Sequence, residues 1–433
     1  MLDIRAVRQE PAAVRAALAR RDEAYGERLD ALLAVDREHR QALAQVERLR
    51  SERNRLSQSV AVARREGRET DAREAIDRVK AMSDQMARLE ATVAELAEAV
   101  RAHLLELPNL PHSSVPPGGE GDAVEVRRHV APTLGRPAQR PENHWDIGQR
   151  LGILDFERAS KLSGSRFVVY RGLGARLERA LVNFMMDHHA TRGYTEILPP
   201  VLVKEETLWG TRHLPKFRDD MFATTDARFL ISTSEIPVTA YHGGEILPEE
   251  SLPLRYVAFS SCFRSEAGAA GRDTRGLIRQ HQFEKVELVT LCTPEASYDV
   301  LERMTRDAQS VLEALQLSHR VVALAVGDLG FTSAKTYDLE VWLPGSGAYR
   351  EISSVSNVEA FQARSLGIRY RDGAGAVHHV HTLNGSGLAV GRTLAAILEQ
   401  GLQEDGSVAL PPALWPYMGG VREIAPQANA VPT

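Results

Sequence analysis

Residues 263–287 read FRSEAGAAGRDTRGLIRQHQFEKVE, and the flanking runs YVAFSSC at 256–262 and LVTL at 288–291 are apolar and typical of β-strands. A hairpin loop normally needs about two to five residues. The connection here is much longer and is rich in arginine, acid and glycine. Because a loop of that length inside a folded domain is usually functional or disordered, these two strands and their loop decide how the rest of the chain is interpreted.

The side chains at the two ends of the loop are predicted to share faces. Alternate residues of a strand point to opposite sides, so Arg264 and Glu266 are expected on one face of the first strand, and Phe283 and Glu287 on one face of the second. The loop adds three further arginines: Arg272, Arg275 and Arg279. Guanidinium groups bind phosphate, rings stack on bases and carboxylates hold ammonium groups, which fits a nucleoside triphosphate and an amine. A charged edge hairpin that discourages aggregation is the alternative.

The composition is that of a folded protein with more than one domain. The chain has 433 residues, of which 43% are hydrophobic and 26% charged. Its formal net charge is −5, so any nucleic-acid partner requires a local basic face. Cys262 and Cys292 are too few for a disulfide framework or a thiolate zinc site. Neither a signal peptide nor a membrane span is recognisable, and a cytoplasmic location is expected.

Residues 27–106 are rich in Ala, Leu, Glu and Arg and contain no proline, which predicts helix. A heptad seam of apolar residues runs through the second half: Val79, Met82, Met86, Leu89, Val93, Leu96 and Val100. Gly67 lies where the chain could reverse. The sequence therefore predicts an antiparallel helical hairpin of roughly 50 Å.

The two halves of this hairpin differ in charge. Residues 37–66 carry eight arginines and four acids, whereas residues 67–106 carry six Lys or Arg and nine acids. The first helix is therefore the candidate for binding phosphates of a nucleic acid. Its candidate contacts are Arg48, Arg50, Arg53, Arg55, Arg64 and Arg65. A dimerisation or spacer coil, or a solvated charged surface, is the alternative.

The remaining chain divides by composition. Residues 1–110 are predicted to form an N-terminal domain, and residues 111–122, dense in Pro, Gly and Ser, a linker. In residues 123–433, β-patterned runs follow one another without a helix between each pair, which predicts an α+β domain on an antiparallel sheet. The tail, about 424–433, is predicted to be disordered. No P-loop or dinucleotide-binding glycine pattern occurs.

Several segments occur in an informative order. A helical pattern precedes GYTEILPP at 193–200, FRSE at 263–266 opens the long loop, and NGSGLAVGR at 384–392 joins a strand to a helix. This order resembles motifs 1, 2 and 3 of the class II aminoacyl-tRNA synthetases. Together with ISTSEIPVT at 231–239 and YREISS at 349–354, it resembles bacterial seryl-tRNA synthetases over nearly the whole chain. The resemblance implies an ATP-dependent serine–tRNA ligase whose helical hairpin holds the long variable arm of serine tRNA.

The resemblance also implies roles for individual residues. The implied serine pocket comprises Thr233, Ser234, Glu235, Arg264, Glu287, Asn384 and Ser386. The implied ATP site comprises Arg264, Ser265, Glu266, Gln280, Phe283, Glu351, Ile352, Ser353, Ser354 and Arg392. Arg264, Glu351 and Arg392 are expected to be catalytic through positioning and charge neutralisation. Taken alone, Thr233 or Ser386 would more often be an ordinary strand or turn hydroxyl.

The resemblance implies Mg²⁺ as the cofactor, with oxygen ligands from Glu351 and Ser354, and no zinc. The implied partners are L-serine, ATP and tRNA(Ser), with tRNA(Sec) left open, and no membrane or DNA partner is expected. A homodimer is implied by motif 1, whose interface includes Pro200.

Two other classes of protein remain to be weighed. A relative that loads an amino acid onto a carrier protein is disfavoured because such relatives tend to lack the helical arm and to use cysteine-bound zinc. A non-catalytic interaction protein is disfavoured because the motif residues are retained: Arg264, Glu266, Glu351 and Arg392. The sequence does not separate a housekeeping enzyme from a second copy that serves antibiotic resistance or biosynthesis.

Overall fold

The structure is a computed structural model that describes residues 1–267 and 275–426. Arg272 of the long loop and most of the predicted tail, residues 427–433, lie outside the described residues. The chain divides into two compact units, Met1–Pro108 and Asn109–Thr433. Within the described ranges, every strand belongs to the larger unit, and no helix combines the length and apolar character needed to cross a membrane.

The smaller unit is a helical hairpin preceded by two short helices. Its helices are α1 (Ile4–Gln9), α2 (Pro11–Ala19), α3 (Tyr25–Arg65) and α4 (Glu69–Glu106). The chain reverses at Gly67, whose φ of +71° is a left-handed conformation that glycine adopts without strain. Met86 and Val100 of the heptad seam are buried, and Arg50 of α3 pairs with Glu90 of α4 at 3.0 Å. The predicted antiparallel hairpin is confirmed.

The larger unit is built around a sheet. Its strands are β1 (Val124–His129), β2 (Leu154–Asp155), β3 (Val169–Tyr170), β4 (Thr195–Ile197), β5 (Leu202–Lys204), β6 (Arg228–Leu230), β7 (Ile246–Pro248), β8 (Leu254–Phe263), β9 (Gln282–Cys292), β10 (His319–Ala323), β11 (Lys335–Leu343), β12 (Ala348–Glu359), β13 (Arg369–Arg371), β14 (Val377–His379), β15 (His381–Ala389), β16 (Val408–Ala409) and β17 (Glu423–Ile424). Its helices are α5 (His144–Arg150), α6 (Phe156–Ser163), α7 (Leu173–Ala190), α8 (Glu205–Gly210), α9 (Glu235–Ala240), α10 (Ser297–Ala314), α11 (Phe361–Leu366) and α12 (Val390–Gln400).

The main sheet has eight strands in the order β1-β10-β11-β12-β15-β9-β8-β4. Neighbouring strands are antiparallel, except that β4 pairs with β8 in parallel. The two strands that flank the long loop, β8 and β9, are therefore neighbours in the sheet, and β8 lies next to the edge strand β4. The predicted α+β fold on an antiparallel sheet is confirmed.

Helices α7, α10 and α12 bury their apolar sides in the core of the larger unit. Leu177 of α7 and Leu394 of α12 are fully buried there, together with Val286 and Leu288 of β9. Because side chains alternate along a strand, the odd-numbered residues at the start of β9 point to the other face of the sheet. That other face is where the motif residues collect.

The structure differs from the sequence-based boundaries in two places. In the segment predicted as a linker, residues 111–122, Val115 is buried and the carbonyl oxygen of Pro116 accepts from the backbone N–H of Val326 at 2.9 Å. Proline and glycine there mark irregular backbone that is part of the larger unit. Ile424, the first residue of the predicted tail, is buried and pairs with Val408 in a two-stranded sheet.

Candidate active site

A cleft of about 430 Å³ opens on the motif-bearing face of the sheet. Most of the residues predicted to bind serine and ATP line it: Thr233, Glu235, Arg264, Glu266, Gln280, Phe283, Glu287, Glu351, Ile352, Ser354, Asn384, Ser386 and Arg392. These residues come from segments far apart in the sequence. The sheet order brings them together, because β12, β15, β9 and β8 are consecutive neighbours.

Strand β9 supplies three side chains to the cleft, Phe283, Lys285 and Glu287. Their spacing of two places them on one face of the strand. This face therefore presents an aromatic ring, an ammonium group and a carboxylate. Ser386 of β15 is the direct cross-strand partner of Glu287, so a hydroxyl and a carboxylate lie side by side at this end of the cleft.

A buried network surrounds Thr233. Lys285 Nζ donates a hydrogen bond to Thr233 Oγ1 at 2.8 Å and forms an ion pair with Glu287. The backbone N–H of Glu235 donates to the same threonine oxygen at 3.1 Å. The side chains of Lys285 and Glu287 are 9% and 2% exposed, so water screens their attraction little.

Two buried carboxyl groups of this region have neighbours that oppose the effect of burial on their pKa. Burial raises the pKa of the Glu235 carboxyl, and a hydrogen bond from Gln362 Nε2 at 2.8 Å opposes that rise. Burial also raises the pKa of the Glu287 carboxyl, and the positive charge of Lys285 opposes it. Gln362 is held in turn by the hydroxyl of Thr382, which donates to its Oε1 at 3.0 Å.

Arg264 also lines the cleft. Its guanidinium is 5.1 Å from the ring centroid of Phe283, and its Nε donates to the carbonyl oxygen of Ser232 at 3.4 Å. The prediction that Arg264 and Glu266 share a strand face is wrong, because β8 ends at Phe263 and Glu266 has a φ of +52°. Both side chains nevertheless line the cleft.

The second half of the long loop is anchored at its base. Glu266 pairs with Arg279 at 2.5 Å. The backbone N–H of Leu277 donates to His144 Nε2 at 3.0 Å, and His144 Nδ1 lies 2.7 Å from Glu399 Oε1. A buried histidine and a buried carboxylate therefore fix the segment that leads into β9.

Strand β12 contains an irregularity that matters for the cleft. Its register against β11 shifts between Glu351 and Ser353. Such a shift changes which side chains share a face, and Glu351 and Ser354 both line the cleft although they are three residues apart. Arg392, near the start of α12, donates from Nη1 to the carbonyl oxygen of Glu351 at 2.6 Å and from Nε to that of Ile278 at 3.0 Å.

The side chains of Ser234, Ser265 and Ser353, which were predicted to bind substrate, do not line the cleft. Ser234 is fully buried. The hydroxyl of Ser265 donates to the carbonyl oxygen of Asp219 at 2.5 Å, and that of Ser353 donates to the carbonyl oxygen of Ser386 at 2.6 Å. The hydroxyls of Ser265 and Ser353 therefore stabilise the backbone around the cleft, and for all three serines a contact with substrate stays a prediction.

The cleft also contains residues that the sequence patterns did not identify: His213, Phe217, Asp220, Met221, Lys285, Thr332, Ser333 and Ser356. The strand alternation that relates Phe283 to Glu287 could have identified Lys285. His213 lies in a loop without periodicity, and no sequence signal points to it. Burial lowers the pKa of the His213 imidazole to about 4, so this side chain is neutral at pH 7.

A family profile described as "tRNA synthetase class II core domain (G, H, P, S and T)" matches residues 221–401. The fold and the cleft thus define a class II aminoacyl-tRNA synthetase. A second profile, "Seryl-tRNA synthetase N-terminal domain", matches residues 1–111. The chain belongs to the seryl-tRNA synthetase family, the ATP-dependent ligases that join serine to tRNA.

Similar proteins agree with this assignment over nearly the whole chain. A serine–tRNA ligase of Caldicellulosiruptor saccharolyticus is 53% identical over 421 residues, which cover 97% of this chain and 99% of the relative. The corresponding ligase of Geobacillus kaustophilus is 55% identical over 403 residues, covering 90% and 92%. The crystal structure of seryl-tRNA synthetase from Pyrococcus horikoshii complexed with ATP has a TM-score of 0.93 at 36% identity and covers 99% of this chain and 100% of its own.

Proposed function

We propose that the cleft at the base of the long loop carries out both steps of the ligase reaction. In the first, a carboxylate oxygen of serine attacks the α-phosphorus of ATP and pyrophosphate leaves. In the second, the seryl group passes to the terminal ribose of tRNA(Ser). The observation that carries the proposal is the convergence of Arg264, Glu287 and Arg392 from three separate elements on one cleft.

Serine is proposed to bind where β9 and β15 meet. Glu287 and Ser386 are cross-strand partners there, and Thr233, Glu235 and Asn384 line the same region. Carboxylates hold the substrate ammonium, and hydroxyl or amide groups pair with its hydroxyl. A pocket whose buried polar groups need that hydroxyl discriminates strongly against alanine, because the groups would otherwise stay unpaired.

ATP is proposed to bind against Phe283 and two arginines of the cleft, Arg264 and Arg392. The ring of Phe283 stacks the base, Arg264 pairs with the α-phosphate and Arg392 with the γ-phosphate. A planar guanidinium suits phosphate because it donates two parallel hydrogen bonds. Glu266 is assigned to the amino group of adenine, and Gln280 also lines this region.

Glu351 and Ser354 fit a magnesium ion. Both present oxygen atoms to the cleft, and Mg²⁺ prefers oxygen ligands and is commonly shared between one or two carboxylates and substrate phosphates. Burial raises the pKa of the nearby Asp338 carboxyl, and the charge of Glu351 raises it further. When bound, the ion neutralises charge on the phosphates.

Replacing Glu287 with glutamine tests the serine pocket. We expect the KM for serine in ATP–pyrophosphate exchange to rise by about 10- to 100-fold, because a charge-assisted hydrogen bond is lost, while the KM for ATP stays nearly unchanged. Glu313→Gln, on the exposed side of α10, is the matched control. An equal loss of serine and ATP binding in Glu287→Gln would contradict the assignment.

A homodimer through motif 1 is proposed as well. Beside the motif 1 helix α7 lies a groove of about 510 Å³ that Val182, Phe259 and Glu178 help to line. Burial, and to a lesser degree the charge of Glu284, raises the pKa of the Glu178 carboxyl to about 8. Leu198, two residues before Pro200, is 82% exposed. The groove, the buried carboxyl group and the exposed leucine support the proposal that a second copy of the chain covers this surface.

Adding a charge to this groove should weaken the dimer. Ala175 of α7 is exposed and lines the groove, so Ala175→Glu should fold normally and place a third carboxylate beside Glu178 and Glu284. We expect the intact protein to have the mass of a dimer by light scattering at micromolar concentration and the variant to shift towards the monomer. Leu162→Glu, on a side chain that is 76% exposed outside the groove, should remain dimeric. A monomeric intact protein would refute the proposal.

The helical hairpin is proposed to bind serine tRNA. Arg48, Arg55, Arg64 and Arg65 are exposed on α3, which supports contact with phosphates. Arg53 is half-buried, and Arg50 is paired with an acid of α4.

The cytoplasm is proposed as the location, and the two free cysteines of the described chain are in keeping with a reducing compartment.

A further inference from the structure

Lys285 lies between two groups of the proposed serine pocket. Its ammonium donates to Thr233 Oγ1 at 2.8 Å and pairs with Glu287. Both bonds are formed within the protein before any substrate is present. Lysine is rarely buried unless it is paired, and the side chain of Lys285 is only 9% exposed. Its position is therefore a specific feature of the pocket.

The contact with Lys285 determines what Thr233 can offer a substrate. A threonine hydroxyl has one donor and two acceptor lone pairs. Thr233 Oγ1 accepts from Lys285 Nζ and from the backbone N–H of Glu235. With both lone pairs occupied, the hydroxyl proton is left to be donated to an acceptor oxygen of the substrate.

Lys285 also balances the charge of the pocket. Two carboxylates, Glu235 and Glu287, face two cations, Arg264 and Lys285. Serine is a zwitterion with no net charge, so the balance persists when it binds. Without Lys285, Glu287 would be a buried carboxylate whose nearest counter-charge is gone, and such a group tends to bind a proton.

We propose that Lys285 is a positioning residue for serine recognition, which keeps Glu287 as an ionised hydrogen-bond acceptor and Thr233 as a donor. This inference rests on the proposed serine pocket. An acceptor beside a donor is complementary to a hydroxyl group, which can both donate and accept. Lys285 thereby contributes to the preference for serine over alanine through its two neighbours, without a contact of its own to the reacting atoms.

Several ionisable groups influence Glu287 and must be considered in any pH dependence. They belong to α9, to β8 and the residue that follows it, and to β9 itself: Glu235, Cys262, Arg264 and Lys285. Lys285 and Arg264 lower the pKa of Glu287, whereas Glu235 raises it. Removal of the Lys285 charge should therefore move the titration of Glu287 to higher pH.

Lys285→Met tests the inference by removing the charge while keeping most of the side-chain volume. In ATP–pyrophosphate exchange, we expect kcat/KM for serine to fall by about 10- to 100-fold and the ratio of serine to alanine activation to fall with it. The KM for ATP should stay nearly unchanged. The acidic limb of the pH profile for serine kcat/KM should shift to higher pH. Lys285→Arg, which retains the charge, should preserve part of the ratio.

A double-mutant cycle separates this inference from the pocket assignment. If Lys285 acts largely through Glu287, Lys285→Met should have a smaller effect in a Glu287→Gln background than in the intact protein. Should Glu287→Gln impair serine use while Lys285→Met leaves the serine-to-alanine ratio and the pH profile unchanged, the role of Lys285 is refuted and the pocket stands. Should Glu287→Gln affect serine and ATP equally, the pocket itself is refuted.

A matched variant controls for the loss of a lysine from the same sheet. Lys335 on β11 is half-buried and does not line the cleft, so Lys335→Met should leave the serine-to-alanine ratio and the pH profile as they are. Thermal unfolding of each variant shows whether it is folded under the assay conditions. If Lys285→Met is too unstable to assay, Lys285→Gln and Lys285→Arg provide the comparison between a neutral and a charged side chain. An equal serine-to-alanine ratio in those two variants would also refute the role of Lys285.

Discussion

Replacing Arg264 with lysine is expected to slow the formation of seryl-adenylate by about 100- to 1,000-fold, the usual effect of removing one group that stabilises transition-state charge. The guanidinium is held by the carbonyl oxygen of Ser232 and lies over the ring of Phe283, so its plane is set before ATP arrives. An ammonium group cannot donate two parallel hydrogen bonds to a phosphate, and it stacks less well on a ring. Because lysine retains the positive charge, the expected loss of rate measures the contribution of the guanidinium geometry.

Single-turnover measurement of adenylate formation at saturating ATP and serine distinguishes this loss from weaker binding. Arg255→Lys is the matched control, because Arg255 lies on the same strand, β8, and does not line the cleft. It should react at nearly the rate of the intact protein. An unchanged rate in Arg264→Lys would remove Arg264 from the catalytic site.

The strand at the returning side of the loop was the most predictable part of the cleft. Residues alternate strictly there, so the pattern relates Phe283 to Glu287, and the structure has both in the cleft. The same pattern includes Lys285, whose burial the pattern does not predict, because lysine is rarely buried unless it is paired. Its burial depends on Thr233, which comes from a different segment of the chain.

The alternation of side chains did not predict which residues share a face where the backbone departs from a regular strand. Arg264 and Glu266 lie beyond the end of β8. The conformation of the loop therefore determines that both side chains line the same cleft. On β12, the shift in register next to Ile352 brings Glu351 and Ser354 together and leaves Ser353 bonded to the backbone of β15. A register shift depends on pairing with a neighbouring strand, which no local pattern in the sequence encodes.

The helical arm was predictable for a different reason. Its heptad seam is a local property that persists over many turns, and a glycine at the reversal point marks the connection. What the pattern could not give is the pairing of individual charges between the helices. Arg50 was predicted to contact RNA, yet it pairs with Glu90 at 3.0 Å, so part of the basic charge of α3 is neutralised within the hairpin.

Removing residues 27–106 and joining the ends with a short glycine linker should separate the two steps of the reaction. All the residues assigned to serine and ATP belong to the larger unit, so serine-dependent ATP–pyrophosphate exchange should survive. Charging of tRNA(Ser) should fall by at least ~100-fold, because several arginine–phosphate contacts are lost and each contributes to affinity. In the intact protein, tRNA affinity should decrease steeply with salt because phosphate neutralisation releases counterions.

Variants that change only one helix of the hairpin show which helix contacts the tRNA. Alanine at Arg48, Arg55 and Arg64 of α3 should reproduce part of the charging defect and reduce the dependence of tRNA affinity on salt. Alanine at Arg73 and Arg78 of α4, which are also exposed, should have little effect because acids outnumber bases on that helix. If the protein without the hairpin charges tRNA(Ser) as well as the intact protein does, the hairpin serves as a spacer or dimerisation element, and recognition of the tRNA must come from the larger unit.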